Sequence, residues 1–299
     1  MRRFLVLLSV IAFFSTALAV EKLKEVKFLA YNVENYVRMN RADPKTGLQT
    51  DSLKPESAIQ ALVSIIRSEK PDIIGVCEMG APAEFQDFLT RLKEAGLDYP
   101  NTEYVQAMDV ERHLALASRF PISSRNSQTN LSFEIDGKKQ YFKRGILDVI
   151  IDLTPATAVH FLGTHLKSKR DVSNDQAILR RNEAHLLRLH TKSVLQKFPD
   201  TKLVVYGDLN DTINGAPIRE IIGQRNSPHY LAPLNLQDAR GDRWTHYWKS
   251  GDIYSRIDYV LTTQNLTRFI VRSKSHIASP DNWALASDHR PLIVVFAVP

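Results

Sequence analysis

The sequence predicts a mixed α/β (α+β) fold in which two packed β-sheets are flanked by helices. Short β-branched runs far outnumber amphipathic helical segments, and no Gly/Ser linker or low-complexity stretch separates them. Polar side chains also recur directly after several of these runs. We therefore expect one domain over residues 20–299. We also expect a pair of packed sheets rather than a doubly wound parallel sheet. The alternative is a mixed α+β domain of unspecified topology.

Three segments have the spacing of amphipathic helices. The first has apolar residues at positions i, i+3, i+4 and i+7 and is bounded by Pro55 and Pro71. The second ends near Gly96, and the third is expected from about Asp175 to Phe198 with its Arg and Lys side chains exposed to solvent. The three apolar stripes are formed by Ile59, Leu62, Val63 and Ile66, by Phe85, Phe88, Leu89 and Leu92, and by Leu179, Leu186, Leu187, Val194 and Leu195.

The strongest strand candidates are short apolar runs too brief for helices. They cover residues 27–31, 73–77, 114–118, 145–153, 159–164, 203–206, 257–261 and 292–296. Strands this numerous, with so few helices, favour a pair of packed sheets.

The N-terminus has the pattern of a secretory signal peptide. Arg2 and Arg3 precede an apolar run over residues 4–14, and the small-residue pattern 17–19 follows. This run is shorter than the roughly twenty residues that span a bilayer. We predict cleavage after Ala19, a secreted or periplasmic protein, and no stable membrane insertion of the mature chain.

Composition excludes several classes of protein. The chain has 299 residues and an average polar and apolar balance, which argues against disorder and against a polytopic membrane protein. Cys77 is the only cysteine, so the chain cannot form an internal disulfide or a CxxC motif. The formal net charge of +6 falls by two when Arg2 and Arg3 are removed, and this excess alone does not name a partner.

Oxygen and imidazole groups stand where the predicted strands end. They are Asn32, Glu34, Glu78, His165, Asp208, Asn210, Asp258, Asp288 and His289. Each has an ordinary explanation when taken alone: Glu78 as the neighbour of a helix N-cap, or Asp208 as a turn former beside Gly207. Their recurrence at six strand ends favours a functional site, because turns do not require Glu or His.

This set of side chains suits metal-assisted phosphoester hydrolysis. Mg²⁺ prefers carboxylate oxygens, phosphate oxygens and water, and a carboxylate or histidine can orient the attacking water. Zinc fits less well, because there is no cysteine cluster and His185 and His190 would lie about 140° apart around a helix. We expect Mg²⁺, or Mn²⁺, as the cofactor.

Six short motifs carry a resemblance to a known family. YNVEN, IIGVCEM, GTHLKSK, YGDLND, RIDYVL and SDHRPL occur in this order. Together they resemble the endonuclease/exonuclease/phosphatase (DNase I-like) superfamily, over about residues 27–296. The last three motifs are highly specific in that order, whereas YNVEN alone is weak. The resemblance implies a four-layer αββα sandwich of two mixed sheets flanked by helices.

The resemblance also implies a metal site. Glu78 resembles the principal metal-ligand glutamate of the family. Asn32 and Asp288 lie close to the same ion by this comparison, and Glu34 stands where some members have Asp.

Catalytic roles follow from the same comparison. Asp208 resembles the residue that orients or deprotonates the attacking water, and Asn210 resembles its phosphate-positioning neighbour. His289, paired with Asp258, resembles the dyad that contacts the scissile phosphate. His165 resembles a second histidine, often the general acid to the leaving oxygen.

Basic and aromatic side chains near these motifs suit a polyanionic substrate. Arg144 resembles a phosphate-contacting residue of the family, with a surface ion pair as the alternative. The segment WTHYW (244–248) is suited to stack a base or line a cleft, and core packing is expected for at least one of its tryptophans. Lys167, Lys169 and Arg170 are placed to track a nucleic-acid backbone, with a solvated loop as the alternative.

We therefore predict an exported, divalent-metal-dependent phosphoesterase, an endonuclease or other phosphodiesterase that acts on nucleic acid as a monomer. A sphingomyelinase-like enzyme and a phosphatase of inositol or sugar phosphates are alternatives within the same chemistry. A long apolar hairpin would favour the lipid enzyme, and the sequence shows no exposed Trp/Phe run of that kind. A catalytically silent binding module is the alternative of another class, although all the expected site positions are filled.

Overall fold

The structure is a computed structural model that describes residues 23–43, 46–169 and 174–299. The predicted signal peptide, residues 1–19, and the first residues of the predicted domain lie outside the described residues. Among the residues described, no helix is both long and apolar enough to cross a membrane.

The described residues form six helices and eighteen strands. The helices are α1 (Glu56–Glu69), α2 (Pro82–Glu94), α3 (Asn174–Lys197), α4 (Ala216–Ile222), α5 (Gln264–Thr267) and α6 (Trp283–Ala286), and a 3₁₀ turn spans Lys249–Gly251. The strands are β1 (Lys24–Tyr36), β2 (Met39–Ala42), β3 (Gln49–Ser52), β4 (Ile73–Met79), β5 (Asn101–Val105), β6 (His113–Ser118), β7 (Ile122–Arg125), β8 (Ser132–Ile135), β9 (Lys138–Tyr141), β10 (Ile146–Thr154), β11 (Thr157–His165), β12 (Leu203–Asp208), β13 (Ala232–Pro233), β14 (His246–Trp248), β15 (Ile253–Ser255), β16 (Asp258–Thr262), β17 (His276–Ile277) and β18 (Leu292–Val298).

The first large sheet has the strand order β17-β18-β1-β4-β6-β5. Its central strands are apolar on both faces, as expected for strands covered from both sides. β1 runs parallel to β4, with Phe28 opposite Ile73 and Asn32 opposite Cys77. This pairing brings the carboxyl ends of both strands to one edge of the sheet.

The second large sheet has the strand order β13-β16-β12-β11-β10-β7. β11 runs parallel to β12, so His165 lies opposite Asp208 where both strands end. β16 runs antiparallel to β12 and begins at Asp258, which also lies opposite Asp208. Three polar side chains of the sequence prediction therefore stand side by side at one edge.

The two sheets pack face to face through aromatic side chains. The ring of Phe28 in β1 lies 5.1 Å from that of Phe161 and 4.9 Å from that of Tyr206, centroid to centroid. The Tyr206 ring lies against the backbone of β4, where a Cβ added at Gly75 would be 2.3 Å from its Cε2. Gly75 is thus required because the opposite sheet approaches the backbone directly.

Helices cover the outer faces of both sheets and complete the expected four-layer αββα sandwich. α1 and α2 pack on the first sheet through Leu62 and Phe88, and α3 and α4 pack on the second through Leu187 and Ile218. Burying each of these side chains contributes about 1.5–3 kcal/mol. The fold class is confirmed, and every strand and helix predicted from the sequence overlaps an observed one.

The basic face of α3 is not wholly exposed, so that expectation was wrong for two arginines. Arg180 is 5% exposed and its Nε lies 3.2 Å from Asp211 Oδ2. Arg188 is 9% exposed and donates from Nη1 to the carbonyl oxygens of Ile221 and His229 at 3.2 and 2.6 Å. A guanidinium is buried when its donors find acceptors, and here the acceptors come from later segments of the chain.

A buried carboxylate joins β10, β11 and α3. Asp148 is 1% exposed and accepts hydrogen bonds from Nε2 of His160 at 2.5 Å and of His190 at 2.6 Å. Burial alone would raise the pKa of Asp148, but the two histidine hydrogen bonds lower it by more, to below the ordinary 3.8. The ionised form is therefore stabilised in the folded protein.

We expect Asp148→Asn to lower the free energy of unfolding by about 3 kcal/mol at neutral pH, because it removes one partner of a buried charged network. Urea denaturation measures the difference, and Asp200→Asn, at an exposed acid, is the matched control. Since the folded-state pKa is lowered, the difference should be lost as the pH falls through that pKa. An Asp148→Asn protein as stable as the wild type at pH 7 would contradict this account.

Candidate active site

Four of the polar side chains predicted from the sequence lie where the carboxyl ends of strands from both sheets meet, whereas Asp258 begins β16 and Asp288 and His289 precede β18. The first sheet contributes Asn32 from β1 and Glu78 from β4, and the second contributes His165 from β11 and Asp208 from β12. The parallel pairs β1/β4 and β11/β12 each place two strand ends together, and the face-to-face packing of the sheets places the two pairs together.

Asn32 is the hub of this site. Its side chain is 2% exposed, and its Nδ2 lies 3.1 Å from Asp208 Oδ2 and 3.3 Å from Glu78 Oε1. The same atom lies 3.4 Å from Nε2 of His289. We call Asn32, Glu78, Asp208 and His289 the central cluster; they come from four separate segments of the chain.

Left-handed backbone conformations are concentrated around the central cluster. Glu34, Glu78 and Asn210 have φ angles of 46°, 62° and 51°, a region that residues other than glycine seldom occupy. Hydrogen bonds hold two of these turns: Glu34 N donates to Asn32 Oδ1 at 3.0 Å, and Asn35 N donates to Glu78 Oε2 at 2.9 Å. The backbone is therefore strained at predicted site residues, and the site side chains themselves hold it there.

Gly207 sets the turn that presents Asp208. Its φ is 134°, and a Cβ at this position would lie 1.9 Å from the carbonyl oxygen of Thr164, so only glycine fits. Asp208 Oδ1 then accepts a hydrogen bond from Asn210 N at 2.9 Å, while Oδ2 faces Asn32. Asp208 is thus a turn former through Oδ1 only, as its hydrogen bond with Asn210 N shows. Its other oxygen, Oδ2, belongs to the central cluster.

Asn210 ties this turn to the neighbouring loop. Its Nδ2 donates to the carbonyl oxygen of Leu166 at 2.9 Å, directly after His165. The side chain of Asn210 therefore keeps the ends of β11 and β12 in register.

His289 is held from behind by a carboxylate. Its Nδ1 lies 2.8 Å from Asp258 Oδ2, and its backbone N–H donates to Ser287 Oγ at 3.0 Å. Nε2 faces the site, 3.7 Å from Asp208 Oδ2. Burial lowers the pKa of His289, but the carboxylates of Asp258 and Asp208 raise it by more, so that the pKa lies well above its ordinary value.

His165 lies between two carboxylates of the site. It is 2% exposed, and its Nε2 lies 3.5 Å from Asp208 Oδ2 and 3.9 Å from Glu78 Oε1. The Nε2 atoms of His165 and His289 therefore both lie within 3.7 Å of the same oxygen of Asp208.

Five carboxylates crowd this edge of the molecule: Glu34, Glu78, Asp208, Asp258 and Asp288. Burial, and then the charge of Asp258, raise the pKa of Asp208 from 3.8 to about 8. Burial and the charge of Asp288 likewise raise the pKa of Glu34. An oxygen-rich donor set with this excess of negative charge fits a divalent cation such as Mg²⁺.

Lys54 is a site residue that the sequence reasoning missed. Its side chain is 4% exposed, and its Nζ donates to the Glu34 carbonyl oxygen at 2.9 Å and lies 3.4 Å from Glu34 Oε2. Burial lowers the pKa of Lys54, and Glu34 opposes that effect. No motif marks this lysine in the sequence, because the contact depends on how the segment before α1 folds over β1.

The chain matches the sequence model of a known protein family. It matches residues 29–289 and describes the Endonuclease/Exonuclease/phosphatase family. The chain belongs to this family. Its members are hydrolases that act on phosphoester bonds and generally use a divalent metal.

Solved structures share the fold of this family member at low sequence identity. The human nocturnin catalytic domain, solved with a sulfate anion, has a TM-score of 0.62 and 15% identity and covers 92% of this chain and 95% of its own. Truncated Caenorhabditis elegans TDP2 has a TM-score of 0.60, 14% identity and coverage of 92% and 98%. Sphingomyelinase C from Streptomyces griseocarneus has a TM-score of 0.58, 16% identity and coverage of 91% and 99%. A comparison with curated proteins finds no match.

Arg144 is buried in this family member and does not form the surface ion pair weighed for it. It is 7% exposed, and its Nε lies 2.8 Å from Asp109 Oδ2. Beside it, Glu183 accepts hydrogen bonds from Lys143 N at 3.2 Å and Lys167 N at 2.6 Å. Glu183 thus joins the Arg144 segment to the loop after β11, while contact of Arg144 with phosphate stays a prediction.

The basic residues after His165 have a more constrained setting than a solvated loop. Lys169 Nζ lies 2.6 Å from Asp211 Oδ1, which offsets its charge. The backbone N–H of Lys167 is held by Glu183. Arg170 lies outside the described residues.

An aromatic hairpin, residues 246–255, stands beside the central cluster. Trp248, Ile253 and Tyr254 are 54%, 50% and 52% exposed, and Tyr254 stacks on Tyr247 with a centroid distance of 4.4 Å. Trp244, before the hairpin, is partly buried under the guanidinium of Arg290, 3.3 Å from its ring centroid. Trp244 therefore packs at the base of the hairpin rather than between the sheets.

Two further polar residues next to this hairpin were missed from the sequence. Thr245 is fully buried, and its Oγ1 accepts a hydrogen bond from Asp258 N at 3.1 Å. His246 lies on β14 beside His289, with ring centroids 4.6 Å apart. The segment was singled out for its aromatic residues, and the usable signal was the Thr-His pair that stands between them in WTHYW.

Proposed function

We propose that this family member is a divalent-metal-dependent phosphodiesterase that hydrolyses nucleic acid by attack of water on phosphorus. The observation that supports the proposal most strongly is the convergence of Asn32, Glu78, Asp208 and His289 into one contact cluster. Burying several ionisable groups together costs stability, so their presence argues for a chemical role.

A metal ion has a suitable set of ligands among these residues. Glu78, Asp288 and Glu34 would hold Mg²⁺ or Mn²⁺ next to Asn32, whose Nδ2 faces Glu78 and whose Oδ1 accepts a hydrogen bond from Glu34 N. When bound, such an ion neutralises the charge that develops on the phosphoryl oxygens.

Proton handling falls to Asp208 and the two histidines. Asp208 Oδ2 accepts the proton of the attacking water, and its raised pKa makes it a stronger base near neutral pH. His289, protonated and held by Asp258, donates a hydrogen bond to a phosphate oxygen. His165, whose Nε2 lies 3.5 Å from Asp208 Oδ2, protonates the leaving oxygen.

The aromatic hairpin supports a substrate that carries bases. Tyr254 and Trp248 are exposed beside the segment that carries His289, so bases flanking a bound phosphate can stack on them. Stacking of this kind contributes about 1–3 kcal/mol per base. In this proposal Lys167 contacts a flanking phosphate, and Lys169 and Arg144 do so in place of their ion pairs with Asp211 and Asp109.

Salt dependence tests the nucleic-acid assignment. We expect the affinity of an Asp208→Asn protein for duplex DNA to fall steeply with salt, with a log-log slope near −0.9 per phosphate contacted. Neutralising Lys167 and Lys169 together, as Lys→Gln, should make the slope shallower by about one to two units. Fluorescence anisotropy at several salt concentrations measures it.

Lys93→Gln with Lys274→Gln is the matched control. Both lysines are exposed and pair with surface acids on the first-sheet side of the molecule, so the slope should not change. A flat salt response of the Asp208→Asn protein, with faster turnover of a phosphomonoester or sphingomyelin than of DNA or RNA, would refute the nuclease proposal. The metal site and the His289–Asp258 pair would be untouched by that result.

One observation favours a lipid substrate as the second candidate. The exposed tip of the hairpin brings Trp248, Ile253 and Tyr254 together, which the sequence alone did not show. Exposed apolar side chains of this kind mark sites of interaction with proteins or membranes. Binding of sphingomyelin vesicles that is lost in Trp248→Ser, together with sphingomyelin turnover, would establish this candidate over the first.

A substrate screen with added Mg²⁺ decides between the candidates. Plasmid DNA, RNA, sphingomyelin and small phosphomonoesters are the four classes to compare, with turnover by Asp208→Asn as the blank. Export is a separate part of the proposal, and N-terminal sequencing of the protein from its native source tests it by locating cleavage after Ala19.

A further inference from the structure

Main-chain hydrogen bonds hold the aromatic hairpin against the segment that carries His289. Tyr247 N donates to the Asp288 carbonyl oxygen at 2.9 Å, and Arg290 N donates to the Thr245 carbonyl oxygen at 2.7 Å. His246 and His289 form an antiparallel bridge between these two bonds. The two imidazole rings are therefore placed side by side by the backbone, not by a chance contact of side chains.

Both rings are anchored at Nδ1 and face Asp288 with Nε2. His289 Nδ1 is held by Asp258 Oδ2 at 2.8 Å, and a hydrogen bond of 3.3 Å joins His246 Nδ1 to Ser255 Oγ. Nε2 of His289 lies 3.7 Å from Asp288 Oδ1, and Nε2 of His246 lies 3.7 Å from Asp288 Oδ2. These separations are too long for hydrogen bonds. Anchoring of Nδ1 is the arrangement that orients histidines toward a metal ion.

The three side chains are close enough together for a small inward movement to form a transition-metal site. Ligand atoms of His246, Asp288 and His289 all lie within 4.8 Å of one another. Ligands at the usual 2.0–2.1 Å from tetrahedral Zn²⁺ lie about 3.4 Å from each other. Two histidines and one carboxylate form a ligand set that zinc accepts with water in the fourth position. Mg²⁺ prefers oxygen ligands throughout, so this set selects a softer ion.

We propose that His246, Asp288 and His289 form a second metal site, selective for a transition-metal ion such as Zn²⁺, whose occupation inhibits the enzyme. The His246 side chain is 19% exposed and Asp288 is 30% exposed, so an ion reaches the site from solvent. A metal ion bound at this site coordinates Nε2 of His289 and the carboxylate of Asp288, so neither group is available to the substrate or to Mg²⁺. The inhibitory part rests on the proposed function, which assigns these two groups to phosphate and Mg²⁺; the binding part does not.

Calorimetric titration of the full, untagged protein with ZnCl₂ in saturating Mg²⁺ tests the binding part. We expect His246→Ala to weaken the tightest Zn²⁺ binding by at least about tenfold, since it removes one ligand. His185→Ala is the control, because His185 pairs with Glu220 on the surface of α3 and is not part of the site. His246→Gln, which preserves more of the side-chain packing, serves as a second variant with its melting temperature measured. Equal Zn²⁺ affinity in wild type and both His246 variants would overturn the site.

Turnover supported by Mg²⁺ tests the inhibitory part. Zn²⁺ should inhibit the wild type and His185→Ala at similar concentrations, and His246→Ala should need at least about ten times more. Zn²⁺ binding that depends on His246 without inhibition would overturn the inhibitory role and leave the site standing. Absence of Mg²⁺-supported turnover on every substrate would instead count against the proposed function, while the calorimetry still decides the site.

Discussion

Replacing Asp208 with asparagine lowers kcat by at least about a hundredfold while the protein stays folded, as expected for loss of a general base. Asparagine keeps an oxygen that accepts the hydrogen bond from Asn210 N, so the turn is preserved. The pKa of Asp208 is raised, which means that its ionised form costs stability as the pH rises through the folded-state pKa. The melting temperature at neutral pH should therefore stay the same or rise.

Asp211→Asn, three residues along the chain, is the matched control. It is expected to change the melting temperature rather than kcat. Asp211 pairs with Lys169 and the buried Arg180, and these partners lower its pKa against the effect of burial. Its replacement should lower the melting temperature and leave kcat within about tenfold. Steady-state kinetics and thermal denaturation measure both quantities. An Asp208→Asn enzyme with near-normal kcat would show that this aspartate is only a turn former.

His289→Ala belongs to the same prediction. Its Nε2 faces Asp208 and Asp288, and its loss removes a protonated donor from the proposed phosphate site, so kcat should also fall by at least about a hundredfold. Asp258→Asn should reproduce part of this loss, since Asp258 holds the ring without facing the substrate.

Removing divalent cations abolishes turnover, and Mg²⁺ or Mn²⁺ restores it. The physical reason is that burial and the crowding of five carboxylates raise the pKa of Asp208 and Glu34, so a divalent cation is needed to offset this negative charge when a phosphate approaches. Activity is measured after dialysis against EDTA and during readdition of each metal. Undiminished turnover in excess EDTA, with no bound metal detected by elemental analysis, would rule out the proposed cofactor.

Glu78→Gln makes the metal prediction specific to one residue. The substitution removes a full negative charge and keeps an oxygen able to accept the hydrogen bond from Asn35 N. The Mg²⁺ concentration for half-maximal activity should rise by at least about tenfold. Glu94→Gln, at an exposed position in α2, is the control and should leave that concentration unchanged. Equal Mg²⁺ requirements for Glu78→Gln and the wild type would remove Glu78 from the metal site.

Local sequence patterns were sufficient for the buried strands of the two large sheets and for the three longest helices. The strands at 73–77 and 203–206 are buried on both faces, so they read as continuous apolar runs whatever their partners are. α1 could be predicted from the sequence because Ile59, Leu62 and Ile66 repeat at the helical period on one buried face. Short hairpins such as β2/β3 were not predicted, because exposed polar strands carry no such period.

The site was predictable as a set of strand ends but not as a geometry. Asn32, Glu78, His165 and Asp208 each follow an apolar run, and parallel pairing within each sheet necessarily brings such ends to one edge. The roles assigned to them stay predictions. Their mutual distances depend on how the two sheets pack, and no pattern within one segment contains that information.

By itself, the sequence determined the long buried strands, the three long helices and the residue types available for chemistry, because these patterns depend on neighbours one to four positions away. Only the tertiary structure decided that Lys54 lies on Glu34, that Arg180 is buried on Asp211, and that His246 stands beside His289. Each of these contacts joins segments at least 20 residues apart, at a place set by sheet packing or hairpin docking. Hydrophobic burial is non-directional, so the buried segments can be predicted from their apolar residues alone. A contact between two polar groups forms only when the complete fold brings both groups within hydrogen-bonding distance.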